Sequence, residues 1–121
     1  MAKKILVVED EALIANVLSI RLTGLGYKVV TAYDGEEGLA AVKKEKPDLV
    51  ILDIGLPRID GTTLCELIKA GAATKDIRVI MLTGKRLMGD MENAFSAGAD
   101  FYINKPYEWP RLLGHIQKLI G

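Results

Sequence analysis

Cysteine and histidine are scarce in this sequence, which has one of each, Cys65 and His115, among its 121 residues. A lone cysteine cannot form an internal disulfide, so it fits a reducing compartment and a packing role inside a helix. Apolar runs long enough to span a bilayer are missing. The first residues also lack the apolar segment and cleavage site of a signal peptide. These absences favour a cytoplasmic protein.

An excess of charge of either sign is absent as well, because 16 basic residues balance 16 acidic ones. Without a net field, the chain has no general attraction for nucleic acid or for an anionic membrane, so neither is expected as a direct partner. The length of 121 residues, half of them hydrophobic, supports one domain with a proper core. We therefore expect residues 1–121 to form a single domain.

Short apolar runs alternate along the chain with segments whose apolar residues recur at helical spacing. Five strands alternating with five helices predict an α/β fold with a parallel sheet, right-handed crossovers and helices on both faces. The clearest strand is the unbroken apolar run Leu49-Val50-Ile51-Leu52, which is typical of a strand buried on both faces. The predicted strands are 4–8, 27–32, 49–52, 77–82 and 101–103, and the predicted helices are 12–25, 36–46, 62–72, 86–97 and 109–120.

Charged and hydroxyl side chains stand where four of these strands end. They are Glu9 and Asp10 after the first strand, Asp53 after the third, Thr83 at the fourth and Lys105 after the fifth. The carboxyl ends of parallel strands share one edge, where ligands bind in open α/β sheets. Three carboxylates need a neutralising cation, and an all-oxygen ligand set favours Mg²⁺ or Mn²⁺ over zinc. A lysine and a hydroxyl beside the metal suit a phosphoryl group, which an aspartate can accept as an acyl phosphate.

Five short motifs then occur in a characteristic order. They are Val8-Glu9-Asp10-Glu11, Leu52-Asp53-Ile54-Gly55-Leu56-Pro57 with Asp60-Gly61, Met81-Leu82-Thr83-Gly84, Gly98-Ala99-Asp100 and Lys105-Pro106. With this order and spacing, the whole chain resembles the receiver domain of bacterial two-component response regulators. The resemblance implies a doubly wound, flavodoxin-like fold with a five-stranded parallel sheet of order 2-1-3-4-5 and five helices.

The resemblance also implies a role for each residue of the metal site. Asp53 would accept a phosphoryl group, in a Mg²⁺-dependent reaction, from a phosphohistidine of a sensor histidine kinase or a phosphotransfer protein. Asp10, Asp53 and the backbone carbonyl of Gly55 would bind the metal directly, and Glu9 would hold a metal-bound water. Taken alone, Asp10 would be interpreted as the N-cap of the first helix, since aspartate is a favoured N-cap; Glu9 beside it and Asp53 favour the metal, and the two roles are compatible.

A second group of residues would carry the switch. Thr83 and Lys105 would contact the phosphoryl oxygens, and Tyr102 would turn inward when Thr83 moves toward the phosphate. Ordinary packing is an equally good interpretation of Tyr102. The Lys105–Pro106 peptide bond is expected to be cis. The surface changed by phosphorylation would bind an unidentified downstream protein, and phosphorylation could also lead to a dimer. The domain would catalyse only its own phosphorylation and dephosphorylation.

Three alternatives use similar residues. A haloacid-dehalogenase-type phosphatase combines Asp, Mg²⁺, Thr and Lys, but it needs a second Asp two residues after the first, where this chain has Gly55. A flavodoxin-type flavin site needs a Ser/Thr/Gly-rich loop after the first strand, and Glu9-Asp10-Glu11 would repel the phosphate there. The third alternative is a receiver-like interaction module that does not use phosphate.

The first predicted helix is apolar over a wider arc than one core contact needs. On a helical wheel, Leu13, Val17 and Ile20 lie away from Leu18 and Leu22. Our hypothesis is that Leu13 and Ile20 border a docking surface for the helices of the phosphodonor. The alternative is that Ile20 is a singly exposed residue.

Overall fold

A parallel sheet with the strand order β2-β1-β3-β4-β5 forms the middle layer of the molecule. The computed structural model describes residues 2–84 and 90–121, without the side chains of residues 83 and 90–92. The strands are β1 (Lys4–Val8), β2 (Lys28–Ala32), β3 (Leu49–Leu52), β4 (Arg78–Thr83) and β5 (Phe101–Asn104). The helices are α1 (Ala12–Gly24), α2 (Gly35–Glu45), α3 (Gly61–Ala70), α4 (Asp90–Ser96) and α5 (Trp109–Ile120).

The centre of the sheet is the most deeply buried part of the fold. Each residue of β3 is at most 1% exposed, because helices cover both faces of the strand. Apolar side chains of α1 and α5 pack on one face, and those of α2, α3 and α4 pack on the other, so the sheet has a separate core on each side. The predicted fold class, helix number and strand order are confirmed over the described residues.

The start of helix α1 decides whether Asp10 is a helix cap. Its N-cap residue is Glu11, with extended backbone angles and no side-chain cap bond, and the Glu11 carbonyl accepts the first helical hydrogen bond from Ala15 N. Asp10 therefore lies one residue too early to be the N-cap, and the interpretation of Asp10 as a helix cap is wrong. Residues 86–89 of the predicted fourth helix lie outside the described residues.

The lone cysteine has the packing role expected of it. Cys65 is 0% exposed in α3, and its Sγ lies 3.5 Å from the carbonyl oxygen of Ala97. Burial raises the pKa of its thiol to about 11, which disfavours the reactive thiolate. Within the described ranges, every helix is too short or too polar to cross a membrane.

Two helices that flank the edge of the sheet begin with the same dipeptide, Asp-Gly. The Asp34 side chain accepts a 2.7 Å hydrogen bond from Glu37 N at the start of α2, and Asp60 accepts one of 2.8 Å from Thr63 N at the start of α3. These are ordinary N-caps. Gly61 also packs against the β3–α3 loop, residues 53–60, because a Cβ there would lie 2.0 Å from the carbonyl oxygen of Asp53.

A Gly61→Ala substitution tests this close approach. The added methyl group would meet backbone atoms that cannot rotate away, so we expect the free energy of unfolding to fall by roughly 1–3 kcal/mol. Gly114→Ala is the matched control, since Gly114 is exposed within α5 and a Cβ there meets nothing within 4 Å. We expect that change to stabilise the helix by up to about 1 kcal/mol. Urea unfolding of both variants measures the two effects, and equal shifts of the same sign would contradict the prediction.

Candidate functional site

The carboxyl ends of β1 and β3 bring three acidic residues together. Val8 pairs with Leu52 in the register of these two strands, and Asp53 N continues the ladder by donating to Val8 O at 3.3 Å. The next residues on the two strands are therefore neighbours. Carboxylate oxygens of Glu9, Asp10 and Asp53 all lie within 4.8 Å of one another.

The three carboxylates differ in their access to solvent. Glu9 is 4% exposed, whereas Asp53 is half-buried and Asp10 is exposed. Backbone donors orient two of them, because Glu11 N lies 3.3 Å from Glu9 Oε2 and Gly55 N lies 3.4 Å from Asp53 Oδ1. The cluster therefore opens to solvent on the Asp10 side and is closed on the Glu9 side.

Lys105 provides the positive charge nearest to this cluster among the described residues. It follows β5 and precedes Pro106 through a cis peptide bond, as expected. Its Nζ lies 2.5 Å from Glu9 Oε1 and 3.7 Å from Asp53 Oδ2. In this structure, therefore, the lysine binds Glu9 more closely than it binds Asp53.

Opposing effects act on the ionisation of this pair. Burial raises the pKa of Glu9, and the hydrogen bond and charge of Lys105 only partly offset that rise. Burial also tends to lower the pKa of Lys105, but the hydrogen bond that Lys105 donates to Glu9 and the charge of Asp53 outweigh this effect, so the pKa of Lys105 is raised. At neutral pH the lysine is therefore charged, and its charge supports an ionised Glu9.

Two further predicted residues lie at or near the same edge. Thr83 is the last residue of β4 and pairs with Asn104 of β5, but its side chain lies outside the described part of the chain. Tyr102 is 8% exposed and packs in the core on the side of α2, α3 and α4. Its role as a switch stays a prediction.

The donor set fits a hard divalent cation. Every candidate ligand of the cluster is a carboxylate oxygen, and the Gly55 carbonyl of the adjoining turn would add another oxygen. Such ligands are typical of Mg²⁺ or Mn²⁺. Among the described residues, three carboxylates with one lysine also leave uncompensated negative charge, which a divalent cation would neutralise.

Sequence reasoning missed the direct Glu9–Lys105 ion pair. It assigned Glu9 to a metal-bound water and Lys105 to the phosphoryl group. The sequence contains a pattern that predicts such a pair, because Glu9 directly follows a strand of buried apolar residues and is therefore expected to be buried itself. A buried carboxylate requires a cation or hydrogen-bond donors nearby.

Comparison with known proteins identifies the family. The model of the response regulator receiver domain family matches residues 5–117. The chain belongs to this family. Receiver domains of response regulators are generally not metabolic enzymes, they generally bind Mg²⁺, and they interact with histidine kinases. Membership favours the receiver over the phosphatase and flavodoxin alternatives.

Two relatives of similar sequence are transcriptional regulators. The chain is 37% identical to the DNA-binding dual master transcriptional regulator RpaA of Synechocystis sp., over 97% of this chain and 48% of RpaA. It is 42% identical to the alkaline phosphatase synthesis transcriptional regulatory protein PhoP of Bacillus subtilis, over 88% of this chain and 44% of PhoP. The chain thus spans about half the length of these two relatives.

A solved structure with magnesium is also similar. The receiver domain of the sensor histidine kinase PA1611 of Pseudomonas aeruginosa, with a magnesium ion coordinated in its active site cleft, superposes with a TM-score of 0.90. The two sequences are 31% identical, and the match covers 100% of this chain and 99% of that one.

Metal binding can be tested through thermal stability. We expect Mg²⁺ to stabilise the fold, because it would relieve repulsion among the three carboxylates. At a concentration of ten times its Kd, the gain is about 1.4 kcal/mol, or roughly 4–7 °C in Tm for a domain of this size.

The variants Asp10→Asn and Glu66→Gln make the test specific. Each loses one negative charge, but Glu66 is an exposed residue of α3. Differential scanning fluorimetry with MgCl₂ and with chelator should show the rise in wild type and Glu66→Gln and little rise in Asp10→Asn. A rise of the same size in all three proteins would argue against this metal site.

Proposed function

We propose that residues 1–121 form one receiver domain in which Asp53 accepts a phosphoryl group from a phosphohistidine of a sensor histidine kinase or a phosphotransfer protein. The observation that carries this proposal is that a carboxylate oxygen of Asp53 lies within 4.8 Å of those of Glu9 and Asp10, with Lys105 Nζ 3.7 Å from Asp53 Oδ2. A nucleophilic carboxylate, acidic metal ligands and a lysine are the parts that phosphoryl transfer to an aspartate requires.

Each residue of the site has a distinct task in this proposal. Asp53 supplies the attacking oxygen, and the bond from phosphorus to the donor imidazole breaks. Asp10, Asp53 and the Gly55 carbonyl hold Mg²⁺ directly, and Glu9 holds it through water. The metal neutralises charge on the transferring group. The domain catalyses only its own phosphorylation and dephosphorylation.

Lys105 and Thr83 bind the phosphoryl oxygens in this scheme. The Nζ of Lys105 is already within 4 Å of carboxylate oxygens of both Glu9 and Asp53, so only a small movement is needed for it to contact a phosphoryl group on Asp53. Thr83 moves toward the phosphate, and Tyr102, which is already buried in this structure, repacks in response, which changes the surface offered to a downstream protein or a second copy. The lone buried thiol of Cys65 fits a reducing, cytoplasmic compartment.

The proposal concerns this chain and not a longer protein. RpaA is described as DNA-binding, and this chain spans about half of its length. The expectation that nucleic acid is not a direct partner therefore stays a prediction for residues 1–121 alone.

Intact mass spectrometry after incubation with acetyl phosphate tests the acceptor. We expect wild type with Mg²⁺ to gain one phosphoryl group, because the metal neutralises the three carboxylates. Asp53→Asn with Mg²⁺, and wild type with chelator, should gain none. Glu66→Gln serves as the control for a lost surface carboxylate and should gain the group. If wild type gains nothing and also fails to bind beryllofluoride, the phosphate-independent interaction module becomes the better assignment.

The exposed face of α1 supports a docking surface for the phosphodonor. Leu13 is 77% exposed, Val17 43% and Ile20 73%. An open groove of about 540 Å³ runs from Leu13 and Val17 to Lys105 and Tyr107. A helix bound there would lie beside the lysine of the site, and its apolar side chains would bury exposed surface of α1.

The variant Ile20→Lys tests this docking surface. We expect phosphotransfer from a kinase or phosphotransfer protein that phosphorylates the wild type to slow roughly tenfold, since a charge replaces an apolar contact. Phosphorylation by acetyl phosphate should be unchanged, because a small donor needs no docking. Leu67→Lys is the matched control, since Leu67 is 43% exposed on α3, which packs on the opposite face of the sheet. Equal slowing of Ile20→Lys with both donors would refute the assignment.

A further inference from the structure

Arg58 occupies a strained backbone position in the β3–α3 loop. Its φ is 71°, in the left-handed region that glycine adopts freely and other residues adopt at a cost. The residue lies three positions after Gly55, and its side chain is 66% exposed. The side chain of Arg58 therefore contributes little to packing in the core. Its interactions with the rest of the protein are the contacts of its guanidinium group.

The side chain of Arg58 connects the loop to the start of α2. Its Nε lies 3.6 Å from Asp34 Oδ2, and its Nη1 lies 3.6 Å from Glu36 Oε2. Asp34 is the N-cap of α2 and already accepts a hydrogen bond from Glu37 N. The guanidinium group thus binds a carboxylate that is itself fixed by the helix.

The backbone makes a second connection between the same two segments. Gly35 N donates to Pro57 O at 3.2 Å, and a Cβ on Gly35 would lie 1.9 Å from the carbonyl oxygen of Ile59. The loop therefore rests directly on the first residue of α2. Ion pairs from Arg58 act on a contact that is already close, so they can fix its geometry at little cost in entropy.

We infer that Arg58 is a positioning residue for the metal site, whose ion pairs with Asp34 and Glu36 hold the β3–α3 loop on α2 and thereby hold the Gly55 carbonyl in place for the metal. This inference rests on the proposed function, because it requires Mg²⁺ to bind the Gly55 carbonyl. Two loop residues separate Arg58 from Gly55, and the partners of Arg58 are the N-cap and the second residue of α2.

The sign of the effect distinguishes positioning from simple charge. Asp10, Asp53 and Glu9 make the edge of the sheet negative, so removal of a nearby positive charge would by itself tighten Mg²⁺ binding. Loss of a positioning contact would instead weaken it. Exposed ion pairs are individually weak, so we expect Kd to rise roughly two- to fivefold when both are lost.

Three variants of Arg58 separate positioning from stability. Arg58→Ala loses the ion pairs and keeps the strained backbone, Arg58→Gly loses both, and Arg58→Lys keeps a positive charge. We expect Tm to be higher for the glycine variant than for the alanine variant. Both should nevertheless bind Mg²⁺ more weakly than wild type, and Arg58→Lys should recover at least half of the loss. Arg111→Ala, at an exposed residue of α5, is the control for a lost arginine.

Isothermal titration calorimetry with MgCl₂ and phosphorylation by acetyl phosphate over a range of Mg²⁺ concentrations provide the readouts. We expect the half-saturating Mg²⁺ concentration to rise in Arg58→Ala and Arg58→Gly, with the rate at saturating Mg²⁺ near that of wild type. A Kd equal to or below that of wild type in these variants overturns the inference, as does a loss of affinity that simply follows Tm. In both cases a phosphorylated wild type leaves the proposed function intact. Failure of the wild type to bind Mg²⁺ or to be phosphorylated overturns both.

Discussion

Repulsion among three carboxylates is the constraint on which the rest of this edge depends. Oxygens of Glu9, Asp10 and Asp53 lie within 4.8 Å of one another, and Glu9 has almost no access to water. Among the described residues, Lys105 offsets part of this negative charge, and it follows the distant strand β5. Two strands separate β1 from β5, a span of about 14 Å at ordinary strand spacing. The side chains of Lys105 and Glu9 must therefore extend toward each other along the edge of the sheet to make their contact.

The sequence predicted those features that depend on local pattern and on topology. An unbroken apolar run predicts a strand buried on both faces, and β3 is such a strand. Parallel strands collect their carboxyl ends at one edge, so Glu9, Asp53 and Lys105 could be brought together without any coordinates. The features that it missed depend on distances between segments. The distances from Lys105 Nζ to Glu9 and to Asp53 differ by only about one ångström, and no sequence pattern predicts so small a difference. The left-handed backbone of Arg58 is likewise a property of the folded loop.

The residue at position 55 distinguishes two functions that use the same kinds of catalytic residue, a receiver and a phosphatase. Hydrolysis of an ordinary phosphate ester needs an acid to protonate the departing alkoxide, and Gly55 cannot provide one. An imidazole leaving group takes up a proton near neutral pH by itself. With a bound metal, a site that has Asp53, Lys105 and glycine at position 55 in place of an acid would therefore suit a phosphohistidine better than a phosphate ester. The family match over residues 5–117 agrees with this chemistry.

The β3–α3 loop is fixed mainly by backbone contacts with the starts of two helices. Asp34-Gly35 opens α2 and Asp60-Gly61 opens α3, and in each pair the aspartate caps the helix while the glycine touches the loop. The two glycines contact opposite ends of the loop, at the carbonyl oxygens of Ile59 and Asp53. A helix start is rigid because its first amide groups are held by the cap. The loop that carries Gly55 is thus held between two rigid helix starts. The position of the loop depends on Gly35 and Gly61, because any side chain at either residue would push the loop away.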